Sequence, residues 1–453
     1  MTVRSRAHTF TALRERDFAW YFFGNLSFFM AMQMGFLVRA FMAFDITDRA
    51  VAVGATSAGG AIATLTIAPL GGVVADRVNK RTLLIGVQMV SAGAALSLSL
   101  LILSDWVKFW HLVAFSFVFG GLFATSMPSR QAVVSQLVPR HKLMNAVSLN
   151  MAGQALTAVL APSLAGALID PVGPGWVYMM TVVLFIVGLP AVLQVPRHGM
   201  VAAGRANSFL RDLAQGLGFI RRDRTILMLI LLGLLLPFVA FPVQQLSVVF
   251  AEEVFDAGAP GFGLLVAGAG VGGFIGAMIA ASLDNVAHKG RIIVLGGVLH
   301  GVLIMLFSQM PSLVPAAVTL GVGFVGGVIF MTTNNSVVQA IVPEEVRGRV
   351  VAVLMMAFGT IQIGVLPLTL AADALGPRTA TLVWGILATA LVLGFFLLSR
   401  SIRTLRLDPL ARAQLSPSQA ARLVDEGKIS QAEADRLSRR QARDAQPPTR
   451  GPE

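Results

Sequence analysis

Apolar residues run along this chain in long unbroken stretches, without the alternation of a half-buried strand or the spaced stripe of a surface helix. Twelve stretches occur, at about residues 18–43, 51–75, 82–103, 109–136, 144–169, 176–194, 226–250, 259–282, 291–308, 314–341, 350–371 and 380–398. Each is close to the twenty or so residues that cross ~30 Å of hydrocarbon as a helix. Gly, Ala, Ser and Pro recur within them, which lipid tolerates because a helix still satisfies its own backbone, whereas an open strand cannot. The pattern predicts an all-α polytopic membrane protein with twelve transmembrane helices. Around them it leaves an N-terminal segment 1–17, a long internal loop 196–225 and a polar tail 399–453.

Composition agrees: 55% of the 453 residues are hydrophobic and 13% charged, against ~25% charged in soluble domains. No secretory cleavage site follows the first stretch, so it is read as retained. There is no cysteine, which excludes disulfides, thiolate metal sites and a cysteine nucleophile. The stretches hold no paired carboxylates, no metal-spaced histidines and no nucleophile motif, so neither an enzyme nor a cofactor or metal is expected.

Charge sets the orientation. Of the 35 Lys and Arg residues, Arg39 and Arg130 lie inside stretches and Arg49, Lys108 and Arg378 lie in one set of loops; all the others fall in the opposite loops and the termini. The positive-inside rule then places both termini in the cytoplasm of a multi-pass cell-membrane protein. The other loops are acidic, with Asp45, Asp48, Asp105, Asp170, Glu252, Glu253, Asp256 and Asp373. The net charge of +12 is thus a topology signal and an attraction to anionic membrane lipid, and nucleic acid is not expected as a partner.

The two ends of the chain repeat each other. Residues 136–149, QLVPRHKLMNAVSL, align with 340–353, AIVPEEVRGRVVAV; RTLLIG at 81–86 matches RIIVLG at 291–296, and FGGLF at 119–123 matches VGGVI at 325–329. Three matches in order at similar shifts predict a duplicated six-helix unit, 18–195 and 226–398, with a substrate cavity between pseudo-symmetric halves.

The loop after the second stretch reads GGVVADRVNKR: Gly72, three residues, Asp76-Arg77, two residues, Lys80-Arg81. It resembles the signature loop of the major facilitator superfamily, G-x-x-x-D-[RK]-x-G-[RK]-[RK], with Asn79 at the second glycine. Asn tolerates left-handed backbone, so the turn is expected to survive. A gating role follows: Gly72 allows close helix approach, Asp76 meets a helix N-terminus or a cation across the interface, and Arg77, Lys80 and Arg81 stay near lipid phosphates. LRERDFAWYFFGNLSFF (13–29), FLRDLAQGLGFIRRDRTILMLI (209–230) and IVPEEVRGRVVAV (341–353) are similar to the bacterial drug and siderophore exporter branch, over about residues 10–400. APSLAG (161–166) is similar to the antiporter pattern G-P-x-x-G-G, with Ala161 and Ala165 for two glycines. The resemblance implies alternating access driven by an ion gradient, normally protons, and export of small amphipathic compounds. An importer or lipid-related transporter of the same fold, or a transport-inactive receptor or scaffold, fits the same pattern.

Polar groups within the stretches are costly in hydrocarbon and are the candidates for a substrate site. They are Arg39, Arg130, Asn25, Gln33, Asn150, Gln154, Gln244, Gln245, Asn334, Asn335 and Gln362. In the family the first, fourth, fifth, seventh, eighth, tenth and eleventh helices line the cavity, and all of these residues fall on them. Each amide equally fits a bond that glues two helices, and each arginine fits bonds to backbone carbonyls. Two cations without a mid-membrane acid favour anionic or electron-rich substrates. A coupling proton would need Asp45, Asp373, Asp284, His300 or the substrate itself; Asp45 is expected to pair with Arg39, although six residues of helix separate them by ~9 Å. FMAMQMGF (29–36) suggests an adaptable apolar wall. Residues 208–223 predict an amphipathic helix on the membrane surface, with Phe209, Leu213, Leu217 and Ile220 on one side. The tail from Leu415 to Gln441 reads as two short helices, weakly similar to a SHOCT domain.

Overall fold

The computed structural model describes residues 11–139, 142–195, 209–283, 286–355, 357–403 and 405. Asp284, much of the loop 196–225 and nearly all of the tail lie outside the described residues. A 3-10 turn, Thr11–Arg14, leads into α1 (Arg16–Thr47), followed by α2 (Ala50–Arg77), α3 (Lys80–Leu103), α4 (Phe109–Gln136), α5 (Leu143–Val172) and α6 (Pro174–Leu193). After the long loop come α7 (Phe209–Arg222), α8 (Arg224–Ala240), α9 (Val243–Val249) with a π-helical turn (Phe250–Val254), α10 (Gly258–Ser282), α11 (Lys289–Ser308) and α12 (Leu313–Ile341). The last elements are α13 (Glu344–Met355), α14 (Ala357–Leu375), α15 (Pro377–Leu398) and the single turn α16 (Arg400–Arg403). Eleven described helices are long and apolar enough to cross a membrane, and Gly359–Leu375 is a shorter apolar one. The twelve stretches of the sequence are these helices.

Two sets of six spans form, and the contacts between them are symmetric. In the first, α1 packs on α5 and α6, α2 on α4, and α3 on α6; in the second, α12 packs on α10 and α11, α15 on α11, and α14 on α8. The sets meet through α2 against α14 and α5 against α10, which is the second span of each half against the fifth of the other. The turns repeat as well. Gly173 before α6 and Gly376 before α15 have φ 85° and 83° with ψ near 150°, and each is followed by a proline that starts the next helix. Only glycine adopts that backbone without strain. Asp48 after α1 and Asp256 after the seventh span are both left-handed, at φ 52° and 49°, a conformation Asp tolerates.

Small residues set the closeness of the two halves. A β-carbon on Gly166 would lie 2.8 Å from Cα of Gly263, and one on Gly263 would lie 2.8 Å from the Pro162 carbonyl. The glycine of APSLAG therefore lets α5 and α10 touch backbone to backbone. Gly54 likewise abuts Leu366 and Thr369, while Gly359 abuts Leu65, so α2 and α14 run antiparallel along their length.

Two expectations need correction. Asn79 is not left-handed: at φ −56°, ψ 127° it is the N-cap of α3, its side chain accepting from the Arg81 amide at 2.9 Å. A capping side chain does here what a glycine turn does in the family pattern. The helix α7 packs on α13 and α8, with Ile220 buried and Leu217 exposed; its apolar side is shared with protein, not given wholly to a membrane surface. The side chains of Phe209 and Leu213 lie outside the described residues.

Candidate functional site

A cavity of ≈ 290 Å³ lies between the halves. One stripe of α1 lines it, Phe29, Met32, Gln33, Phe36 and Arg39, at the three- and four-residue spacing that keeps side chains on one helix face. From α2 come Thr56, Ser57, Gly60 and Thr64, from α4 Ser116, Phe119, Gly120 and Phe123, and from the second half Gln245, Ile361 and Gln362. A smaller cavity of ≈ 80 Å³ shares Gln33, Phe36 and Gln245 and adds Gln244, Pro162, Phe262 and Val266. Gln244 and Gln245 are presented by a break in the seventh span. Pro242 has no N–H to donate to the Phe238 carbonyl, which ends α8; Gly364 of α14 packs directly over that carbonyl.

Arg39 is 5% exposed and reaches the cavity. Its Nε donates to Ser116 Oγ at 3.0 Å, its Nη1 to Tyr178 Oη at 2.7 Å, and its guanidinium lies 4.8 Å from the centre of the Phe119 ring. The expected pair with Asp45 does not form: Asp45 is exposed, and Arg39 points sideways into α4 and α6 rather than up its own helix. Arg130 is buried elsewhere. Nη1 donates to Asn25 Oδ1 at 2.9 Å and Nη2 to Gln88 Oε1 at 3.2 Å, and Cζ stands 3.5 Å over the Phe28 ring. Asn25 passes a bond on to Asn150 at 2.7 Å, Gln88 one to the Phe185 carbonyl at 2.7 Å, and Tyr21 donates to the Arg130 carbonyl at 2.8 Å. This chain of dipoles ties α1, α3, α4, α5 and α6 together, and none of Arg130, Asn25 and Asn150 lines either cavity.

Other candidates also fall away from the cavities. Asn334 is buried and donates to the Leu229 carbonyl at 3.2 Å, a bond between α12 and α8. Asn335 and Gln154, both half-buried, line neither cavity. His300 is fully buried, its Nδ1 2.8 Å from the Gly323 carbonyl and its ring between Phe241 and Phe324. It has the setting of a packing residue. Among the gating candidates, Gly72, Asp76 and Arg77 belong to the last turns of α2 and their side chains lie outside the described residues; Lys80 and Arg81 open α3.

At the end of the bundle that carries the acidic loops, Asp373 of α14 bridges the halves. Its Oδ1 accepts from the Ala50 amide at 2.7 Å and its Oδ2 from the Val51 amide at 3.2 Å, with Arg49 Nε 3.6 Å from Oδ2. A carboxylate thus caps the N-terminus of α2 from the opposite half, where the helix dipole favours negative charge. Glu252 has Asp45, Asp170 and Asp256 as charged neighbours at this end. Sequence reasoning missed Ser116, Tyr178, Gln88 and the α2 stripe. The chain has two tyrosines; Tyr178 accepts from the Arg39 guanidinium, whereas Tyr21 donates to the main-chain carbonyl of Arg130.

A family model described as "Transmembrane secretion effector" matches residues 7–428. The chain belongs to this family of the major facilitator superfamily. Among its relatives, macrolide efflux protein A of Streptococcus pyogenes is 20% identical over 352 residues, 75% of this chain and 84% of that protein. The enterobactin exporter EntS of Salmonella typhimurium is 27% identical over 230 residues, 51% of this chain and 55% of that one. In fold the protein is similar to a POT family transporter solved with 5-aminolevulinic acid, with TM-score 0.68 and 13% identity over 85% of this chain and 96% of that one. The nucleoside transporter NupG superposes with TM-score 0.64 at 13% identity, over 84% of this chain and 98% of that one. The protein is a membrane transporter of the major facilitator type, and its family and relatives are transporters, not enzymes.

Proposed function

We propose that this transporter is a secondary active exporter working by alternating access, which moves small amphipathic or anionic compounds across the cytoplasmic membrane, coupled to protons. The observation that carries the reading is the cavity between the halves, polar at Arg39, Gln33, Gln245 and Gln362 and apolar at four phenylalanines. A mostly apolar cavity with a few convergent polar groups is what a small-molecule site requires. Segments 18–195 and 226–398 are the moving halves, 196–225 joins them, and both termini and the tail 399–453 are cytoplasmic. The acidic end is then the outer one, and the Asp373 contact holds it shut. The exporter relatives favour outward transport over import. Coupling does not run through a carboxylate in mid-membrane, because among the described residues none lines either cavity; the outer acids and the substrate are the groups left.

The test is an efflux measurement in intact cells. Cells expressing the chain are loaded with a panel of amphipathic dyes, drugs and aryl carboxylates, with and without a protonophore. Faster loss of at least one compound, abolished by the protonophore, is expected. No difference from empty cells across the panel would remove the exporter reading, and efflux that ignores the protonophore would remove the proton.

A further inference from the structure

We infer that Arg39 is an anion subsite of this cavity, selecting a planar monoanion such as a carboxylate carried on an aromatic or apolar body. The inference rests on the cavity being the place where substrate binds. Arg39 is a permanent cation, almost wholly withdrawn from solvent. Both groups that bind it, Ser116 and Tyr178, are neutral hydroxyls, and among the described residues no Asp or Glu lines either cavity. Nη2 makes no hydrogen bond to any described residue, which leaves one terminal nitrogen of the guanidinium without a protein acceptor on the cavity. An ion taken from water at such cost is normally paired, because neutral dipoles return only part of the lost hydration.

Arg130 is met differently, with only its Nε buried without a partner among the described residues. Amide oxygens occupy both of its terminal nitrogens and an aromatic face covers it, away from the cavity. Only Arg39 combines an unfilled terminal nitrogen with access to the cavity. The partner with the right shape is a carboxylate, whose two oxygens match the guanidinium fork. Ser116 and Tyr178 hold the fork in place before the ligand arrives, and Phe119 lies beside it. The walls at Phe29, Phe36 and Phe123 then take the aromatic body. A lipophilic cation would meet Arg39 with no acid near enough to offset the repulsion.

The test uses the full chain in detergent with three matched probes: 2-naphthoate, 2-naphthamide and a naphthylmethyl trimethylammonium salt. Binding is read by equilibrium dialysis against protein-free micelles. The naphthoate is expected to bind at least about tenfold more tightly than the amide, as one charge-assisted contact supplies, and the ammonium salt more weakly than both. Arg39→Gln is expected to erase the naphthoate preference, Arg39→Lys to keep part of it, and Arg130→Lys, outside the cavity, to keep all of it. Should Arg39→Gln fail to fold, the lysine variant and the order of the three probes on the wild type decide the matter. Equal binding of acid and amide, a preference that survives Arg39→Gln, or no naphthoate binding up to about 10 mM overturns the subsite. No gradient is present in this assay, so failed efflux in cells leaves the subsite intact, and lost selectivity leaves export intact.

Discussion

Arg39 and Arg130 are both buried cations without an ion-pair partner among the described residues, yet substitution is expected to separate them. Removing the Arg130 side chain leaves Asn25 Oδ1 and Gln88 Oε1 without a donor and uncovers the Phe28 ring. A buried polar group stripped of its partner costs about 1–3 kcal/mol, so Arg130→Met is expected to lower the melting temperature in detergent by several degrees. A melting point equal to wild type would show that the amides find other partners. Asn334→Ala removes one amide bond to the Leu229 carbonyl and is expected to cost about 0.6 kcal/mol, the usual worth of a single polar contact between membrane helices. The two substitutions therefore rank the network above the isolated glue bond, and a larger loss for Asn334→Ala would reverse that ranking.

Between elements, the contact that can change is the one at Asp373. Two hydrogen bonds and a cation hold α14 to the start of α2, and Glu252 lies at the same end with Asp45, Asp170 and Asp256 as charged neighbours. These polar contacts add to the close packing of α2 on α14 and of α5 on α10 at this end. A carboxylate at a helix N-terminus contributes about 1 kcal/mol, which corresponds to about fivefold in an opening equilibrium. With no native cysteine in the chain, Ser57→Cys in the cavity wall is a clean reporter. Asp373→Ala is expected to speed its maleimide labelling from the acidic side about fivefold; an unchanged rate would mean that the helix contacts alone keep this end shut. Those contacts are close enough to matter. Gly166→Val, which sets a side chain against Gly263, is expected to force the same end apart at a cost of about 1–3 kcal/mol of overpacking, visible as faster labelling with lost efflux.

For the whole molecule, the distribution of charge makes a claim about orientation. Trp106 in the α3–α4 loop is exposed at the acidic end, and Arg222 at the close of α7 is exposed at the other. Trp106→Cys is expected to react with a membrane-impermeant maleimide in intact cells, and Arg222→Cys only after permeabilisation. The opposite outcome would invert the topology.

Much of this architecture was legible along the chain. A twenty-residue apolar run is a local property, and the solvent it requires follows from it alone; the loop charges, the family loop at 71–81 and the repeat at 136–149 and 340–353 are equally local. Arg39, Gln33, Gln244, Gln245 and Gln362 stood out because a polar group in such a run is rare. What the chain could not reveal is which way each helix faces. Lipid-facing and core-facing side chains are both apolar, so no stripe marks the inner face as it does in water. Arg130, Asn25 and Asn150 look no different from Arg39 and Gln33 in sequence, yet packing sends them into a closed network. Ser116, Thr56 and Tyr178 look like ordinary helix residues until α1, α2, α4 and α6 are brought together. The cost of burying a charge was fixed by the sequence; whether an amide, a hydroxyl or a cavity meets it was decided only by the rotation and pairing of the helices.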